Sequence, residues 1–381
     1  MPDGARAVLA RRAARHGLTV PVAPERLADQ VGAIGGAHAQ VMSAAETSIG
    51  LRVAGTTRDD VRTALWTDRT LVKAHGPRGT VHLLPSAHLG RWVAALSALA
   101  VVPVGDVLTP AQVELVVDAL AGAVGGAAEP LTVDELGAAV AERVGPWALE
   151  PGLAAFGGAW PRWRAALVTA AHRGVLCGGP ARGRHATYTS PGPWADLSVP
   201  PDADTASEEV LRAYLGAYGP ATARDFAAWF GTTDRAATDL FARLRDRLEP
   251  SSVDAAPGWV WAGDPVTDDH PAPGVRLLPH FDAYVVGGRP RPLLFPGEAA
   301  ARGLKGGQAG TVPVVLRDGE VVGVWHGRRA GRRLELTVEL LAGAGTRAVR
   351  AAVEEQADRL GAIGGAEPRV AFGPVTAGKH L

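Results

Sequence analysis

The chain has 381 residues, 47% hydrophobic and 20% charged, a globular balance that argues against disorder of the whole chain and supplies material for two or three domains. No run approaches the roughly 18 apolar residues that a membrane helix needs, and a single cysteine, Cys177, excludes an internal disulfide framework and a cysteine-rich zinc site. The 39 basic and 39 acidic residues cancel overall but not locally: residues 1–100 carry 12 against 7 and 291–381 carry 13 against 9, whereas 101–205 (6 against 11) and 206–290 (8 against 12) are acidic.

Basic ends around an acidic middle put a cationic surface where the ends meet, or reflect ordinary scatter. Only Lys73, Lys305 and Lys379 are lysines, so the abundance of arginine reads as compositional bias and not as function. The start, Met1-Pro-Asp-Gly-Ala-Arg, runs into an Arg-rich helical pattern without an apolar stretch. No signal peptide is expected, and the protein is expected in the cytoplasm.

In chain order, residues 4–16 predict a helix with its charges on one side, stopped by Gly17. Pro24 opens a second helix through Leu27 and Val31 to Ile34, which Gly35-Gly36 interrupts. His38-Ala39-Gln40 follows, then a mostly helical Val41–Val53 and a helix from Arg58 to Leu65. Leu71–Leu84 ends in Arg78-Gly79-Thr80-Val81-His82-Leu83-Leu84, which alternates like a strand. Short helices followed by β structure is the order of a helix-turn-helix with a wing.

The order recurs twice. Thr109-Pro110 caps a helix through Leu120, Thr132 with Glu135 forms a capping box ahead of Leu136–Val144, and Trp160–Val175 is apolar at helical spacing. Two strands around the basic turn Arg182-Gly183-Arg184 complete this pass. After the Pro-rich linker Pro191–Pro201, helices are expected over Glu208–Tyr218, Ala223–Phe230 and Asp234–Leu248, then a ribbon of Leu248-Glu-Pro with Trp259-Val-Trp261. Beyond about 275 the pattern turns to strands: Val275–Leu278, Ala283–Val286, Val312–Leu316, Val321–Trp325 and the alternating Leu334–Leu340, with Asp318-Gly319 as a hairpin turn. A helix from Thr346 to Leu360 and a strand at Val370-Ala-Phe close the chain. The expected fold is α+β: three tandem winged-helix domains (1–105, 106–200, 201–275) followed by a small β-domain with a hairpin (276–381).

This organisation resembles the bacterial winged-helix DNA glycosylases, the AlkZ–YcaQ-like (HTH_42) family, over nearly the whole chain. The residues that carry the resemblance are Gly36-Ala37-His38-Ala39-Gln40, Arg78–Pro85, and Leu277-Leu278-Pro279-His280-Phe281-Asp282-Ala283-Tyr284 with Gly287 and Arg289, together with the Val312–Trp325 hairpin. The resemblance implies hydrolysis of the N-glycosidic bond of N7- or N3-alkylated purines in double-stranded DNA. Bulky adducts and interstrand crosslinks are within its range, and no cofactor and no membrane are involved. The family's signature is Gln, an apolar residue, then Gln or Asp. Gln40 matches the second position and His38 departs from the first. Three readings stand: His38 fills the role with different chemistry, the substrate differs, or activity is lost and a DNA-binding or regulatory protein remains.

The chemistry asked of the pair is modest. An alkylated purine is already cationic and leaves with little protonation, so the enzyme must stabilise an oxocarbenium-like sugar and place a water at C1′. An amide oxygen can orient water, and a neutral imidazole, with an ordinary pKa of about 6.5, can accept its proton. Residues i and i+2 of an extended backbone point the same way, so His38 and Gln40 are expected to face one water. No lysine lies beside the motif, and Lys73 is alone in the first domain. A monofunctional enzyme without a Schiff-base nucleophile is expected. Read without the family, His followed two residues later by Gln is a common and mostly inert pattern.

Further candidates for DNA contact are Arg78, His82, Asp282, Arg289, and Arg328, Arg329, Arg332 and Arg333, four arginines in six residues suited to phosphate contacts or minor-groove insertion. All but Arg289 have a plainer alternative: a surface ion pair for Arg78, a satisfied strand histidine for His82, a turn cap for Asp282, a solvated basic turn for the arginine cluster. The tryptophans Trp160, Trp163, Trp229, Trp259 and Trp261 follow core periodicity. The eleven histidines show no metal spacing such as His-x3-His. A monomer is expected, nucleoid-associated when bound to DNA.

Overall fold

Thr109 and Thr132 each accept a hydrogen bond from the backbone N–H three residues on, while Gln112 and Glu135 reach back to the cap N–H, so helices Pro110–Gly126 and Val133–Val144 start where reciprocal capping satisfies their first donors. The computed structural model describes residues 3–101, 107–155, 158–199, 201–251, 253, 256–265 and 271–376. Met1 and Pro2, the predicted boundary at 105/106 and Pro200 of the linker lie outside the described residues. The fold is mixed α/β, and its contacts gather into two units: Met1–Thr63 with Leu211–Phe226 and Phe241–Leu381, and Ala64–Val210 with Ala227–Leu240.

The first unit is built on a five-stranded sheet in the order Val275–Leu278, Val314–Arg317, Glu320–Ala330, Arg333–Leu340, Glu367–Phe372. The first four strands are antiparallel, and the last runs parallel to its neighbour after the crossover helix Arg347–Gly364. Asp318 (φ 52°) and Gly319 (φ 89°) take the two left-handed positions of the predicted hairpin turn. Val349, Val353, Ala357 and Leu360 lie at intervals of three or four along that helix and bury one face against Leu277, Val315, Trp325 and Val338. Helix Asp3–Arg15 departs from its expected one-sided charge pattern. Arg11 and Arg12 are buried, because their guanidinium groups donate to the carbonyls of Gly219 and Pro220 and, for Arg11, to Asp264. Burial pulls the Arg12 pKa down to about 10.

The second unit holds strands in the order Val81–Pro85, Leu71–His75, Cys177–Arg182, His185–Thr189, Leu131–Thr132. Its core is formed by Val116, Leu120, Leu136, Val140, Trp163 and Ala170 from the helices beside that sheet. Two expectations need correction. The segment from Trp160 is not one helix: Gly158–Pro161 is a strand, Arg162–Ala166 a 3-10 turn, and only Leu167–His172 is α-helical. Proline at 161 supplies no N–H and biases Trp160 to extended backbone, which sets the break. Trp160 is accordingly 46% exposed, with the Arg164 guanidinium 4.0 Å above its ring. In the first unit, Ala283–Gly287 is a helix and not a strand, because the Asp282 side chain accepts from Tyr284 N and starts a helical turn. Among the described residues, no helix is long and apolar enough to cross a membrane.

Candidate active site

Helix Leu27–Ala33 ends in Gly35 (φ 74°) and Gly36 (φ 98°), a left-handed pair that only glycine enters without steric cost. Gly35 N donates to Gly32 O and Gly36 N to Val31 O, and the Tyr218 hydroxyl donates to Ile34 O at 2.9 Å. The chain therefore leaves the helix in a fixed direction and enters the short strand Ala37–His38. His38 is 9% exposed. Gln40 is exposed and lies in a bend that leads into helix Met42–Gly50. The strand ends at His38, so the alternation that would aim both side chains alike does not extend to Gln40. The imidazole sits within the protein and the amide at its surface.

The ring of Phe281 stacks on His38, with centroids 4.8 Å apart and planes inclined by 26°. Phe281 has φ 57° and is followed by Asp282. Of the two roles open to Asp282, DNA contact and turn cap, the structure shows the second. Its Oδ1 and Oδ2 accept from Arg52 Nη2 (2.7 Å) and Nη1 (2.8 Å), Ser48 Oγ donates to Oδ2 at 2.7 Å, and Tyr284 N donates to Oδ1. Burial alone would push this carboxyl up. The Arg52 charge and the bonds from Arg52 and Ser48 outweigh it and hold Asp282 below the usual carboxylate range. With every acceptor inside the protein, this carboxylate is closed off from DNA. Beside it, His16 packs edge-on against Tyr218 and Tyr284, and burial, aided by the Arg52 charge, lowers its pKa to about 3, so it is neutral.

The remaining candidates divide. Arg289 is half-buried just after helix Ala283–Gly287, and its charge reaches the buried Tyr214 hydroxyl. Arg328 pairs with Glu335 at 2.8 Å, and Arg329 donates to the carbonyls of Gly331, Gly364 and Gly365, closing the C-terminal end of helix Arg347–Gly364. Arg332 and Arg333 are exposed at the tip of the long hairpin, and among the described residues neither forms an ion pair. Arg78 and His82 belong to the second unit. Arg78 is held with φ 59° and donates to Trp229 O. His82 is buried, with Nδ1 2.8 Å from Thr80 O, and its ring lies against Gly76. Of the seven remaining DNA-contact candidates, only Arg332 and Arg333 present an exposed guanidinium with neither an ion pair nor a side-chain hydrogen bond among the described residues. Among the described residues no group of three or more His, Cys, Asp or Glu side chains is gathered as metal ligands.

Sequence reasoning quoted Phe281 but gave it no role, and it passed over Ser48, Arg52 and His16. Phe281 and His38 are 243 positions apart, and no local pattern announces their contact.

The geometry has relatives. The family model for DNA glycosylase AlkZ-like proteins matches residues 31–363. A protein of Streptomyces sahachiroi described as an interstrand DNA cross-link repair glycosylase is 33% identical over 317 residues, 78% of this chain and 81% of that protein. The solved structure of Streptomyces sahachiroi DNA glycosylase AlkZ superposes with a TM-score of 0.79 and 30% identity, covering 97% of this chain and 100% of that one.

Proposed function

The chain belongs to the DNA glycosylase AlkZ-like family, and from this premise we propose that it hydrolyses the N-glycosidic bond of N7- and N3-alkylated purines in duplex DNA, bulky adducts and interstrand crosslinks included. The observation that supports the reading is the strand and bend carrying His38 and Gln40, which two left-handed glycines and the Tyr218 hydroxyl hold in place; Gln40 matches the second position of the family's signature, and His38 stands where the first has Gln. The crosslink range is supported by the description of the S. sahachiroi relative.

In the proposed reaction a water at C1′ gives one proton to the His38 imidazole, its oxygen bonds to C1′, and the C1′–N bond breaks with its electron pair leaving on the purine. A cationic alkylated base departs neutral, so no acid is required for the leaving group. A neutral His38 avoids repulsion with that cation, and the Gln40 amide at the surface orients water or sugar. The product is an abasic site without a covalent intermediate, because the base acts on water and not on C1′ itself.

Binding in this reading falls to Arg332 and Arg333 at the hairpin tip, with Arg289, Arg328 and Arg329 supporting the framework of the first unit and Arg78 and His82 that of the second. The three runs of helices closed by a ribbon (1–105, 106–200, 201–275) are read as winged-helix modules and 276–381 as a β-domain carrying the hairpin. The protein acts as a monomer in the cytoplasm.

The deciding experiment is single-turnover release of 7-methylguanine from duplex DNA by wild type, His38→Ala and Gln40→Ala, with duplex affinity measured alongside. Release is expected to fall about 100-fold or more in His38→Ala, within the 10²–10⁴ range of a general base, while affinity persists. If wild type releases nothing, a duplex with a bulky N7-guanine adduct is tested. Binding without release of either base would leave a non-catalytic DNA binder.

A further inference from the structure

We propose that Phe281 is a positioning residue for His38, fixing the plane of the imidazole by stacking so that its proton-accepting edge faces the attacking water. The inference rests on the role proposed above for His38. The two rings lie 4.8 Å apart at 26°, within the range of a stacked aromatic pair. A flat apolar neighbour stacked on a buried imidazole restricts its second torsion without competing for either nitrogen.

The backbone of Phe281 supplies the independent observation. Its φ of 57° is a region that a bulky residue keeps only where its surroundings over-determine it, and such outliers cluster at functional sites. Here they do over-determine it. Phe281 N donates to Gly310 O at 2.7 Å. Gly310 has φ 96°, and a Cβ there would lie 2.6 Å from the Val286 side chain and 3.3 Å from Phe281 Cα, so only glycine fits this close approach. One residue on, Asp282 is locked by Arg52 and Ser48. Ser48 sits on helix Met42–Gly50 and Arg52 just beyond it, the helix that begins directly after His38-Ala39-Gln40. The segment that presents the histidine thus also grips the neighbour of the ring that stacks on it, closing a circuit from His38 through Ser48 and Arg52 to Asp282 and Phe281 and back.

The test uses the full chain as wild type, Phe281→Leu, Phe281→Tyr and His38→Ala. Single-turnover release is measured on a duplex with one 7-methylguanine, or on the bulky N7-guanine adduct if that is what wild type cleaves. Duplex affinity and the NMR shifts of the His38 ring protons are read in the same samples. In wild type and Phe281→Tyr those protons are expected upfield of a free histidine through the ring current. In Phe281→Leu the upfield shift disappears and release slows at least about tenfold, as small misplacements of a reacting group do, with affinity within about twofold; Phe281→Tyr restores the rate. Unshifted His38 protons in wild type would overturn the stack itself, whether or not Phe281→Leu folds. Slow His38→Ala with Phe281→Leu at the wild-type rate would overturn the positioning role alone. His38→Ala at the wild-type rate would overturn the base reading and this proposal with it.

Discussion

Asp282 and Arg52 illustrate how an ion pair deep in a protein is tolerated. Two charges removed from water lose several kcal/mol of hydration each, and only good geometry with every remaining lone pair satisfied offsets that loss. Here the bridge is bidentate, and Ser48 Oγ and Tyr284 N take the other acceptor positions. The pair is asymmetric to mutation. Arg52→Ala leaves a carboxylate buried and uncompensated, and a loss of about 3–5 kcal/mol is expected, whereas Ser48→Ala removes one donor to Asp282 and one acceptor of Arg52 but leaves the ion pair, and costs about 1–3 kcal/mol. Denaturant midpoints at neutral pH measure both, and a loss for Arg52→Ala no larger than for Ser48→Ala would contradict the buried geometry. Such a pair is more costly to break than to replace, so its value lies in specifying one arrangement of the Phe281 loop and not in net stability.

At the scale of elements, the long hairpin of Glu320–Ala330 and Arg333–Leu340 exposes His326–Ala330 on one strand and Arg333 and Glu335 on the other. Gly331 (φ 60°) opens its two-residue loop, and Arg332 and Arg333 stand beside it. If they meet phosphates, each contact releases condensed counterions, and Arg332→Ala or Arg333→Ala lowers the slope of log affinity against log salt by about 1. Arg329→Ala acts differently. It unties Gly364 and Gly365 and is expected to lower stability by about 1 kcal/mol, with the salt slope kept. A salt titration and a thermal melt of the three variants separate these outcomes. The helices with reciprocal caps at Thr109 and Thr132, the Asp318-Gly319 turn and the ribbon Leu248–Pro250 with Trp259–Trp261 were all legible locally, because cap and turn chemistry acts within four residues. The stretch 283–287 was not: its run of Tyr and two Val favours a strand, and a cap on Asp282, itself fixed by Arg52 some 230 residues away, makes it helical. The same distance hid the second half of the site. Motif reading located His38 and Gln40, but Phe281, Ser48 and Arg52 come together only through the tertiary fold.

For the whole molecule, buried neutral histidines set the response to acid. Burial, with the Arg52 charge, lowers His16 to about 3, burial lowers His172 to about 4, and burial also lowers His75. In the unfolded chain each would titrate near 6.5. Below that pH the unfolded state binds protons that the folded state refuses, so stability falls as pH falls, from about 6.5 down to about 4 for His172 and about 3 for His16, by about 1 kcal/mol per pH unit for each. Tm is expected to drop steadily on acidification from pH 6.5, and His16→Phe, which cannot titrate, to give a shallower decline. Turnover is to be followed separately, because protonation of His38 itself would slow it, and a rate flat from about pH 5 to 8 would remove His38 as the base. The division of the chain into units bears on how the protein is made. The unit that holds His38 is drawn from distant stretches, Met1–Thr63, Leu211–Phe226 and Phe241–Leu381, whereas most of the other unit is one continuous stretch. On the ribosome the histidine emerges ahead of its stacking partner and waits for it until more than two hundred further residues have been added. A message truncated before codon 281 therefore yields a chain with the motif intact and no site.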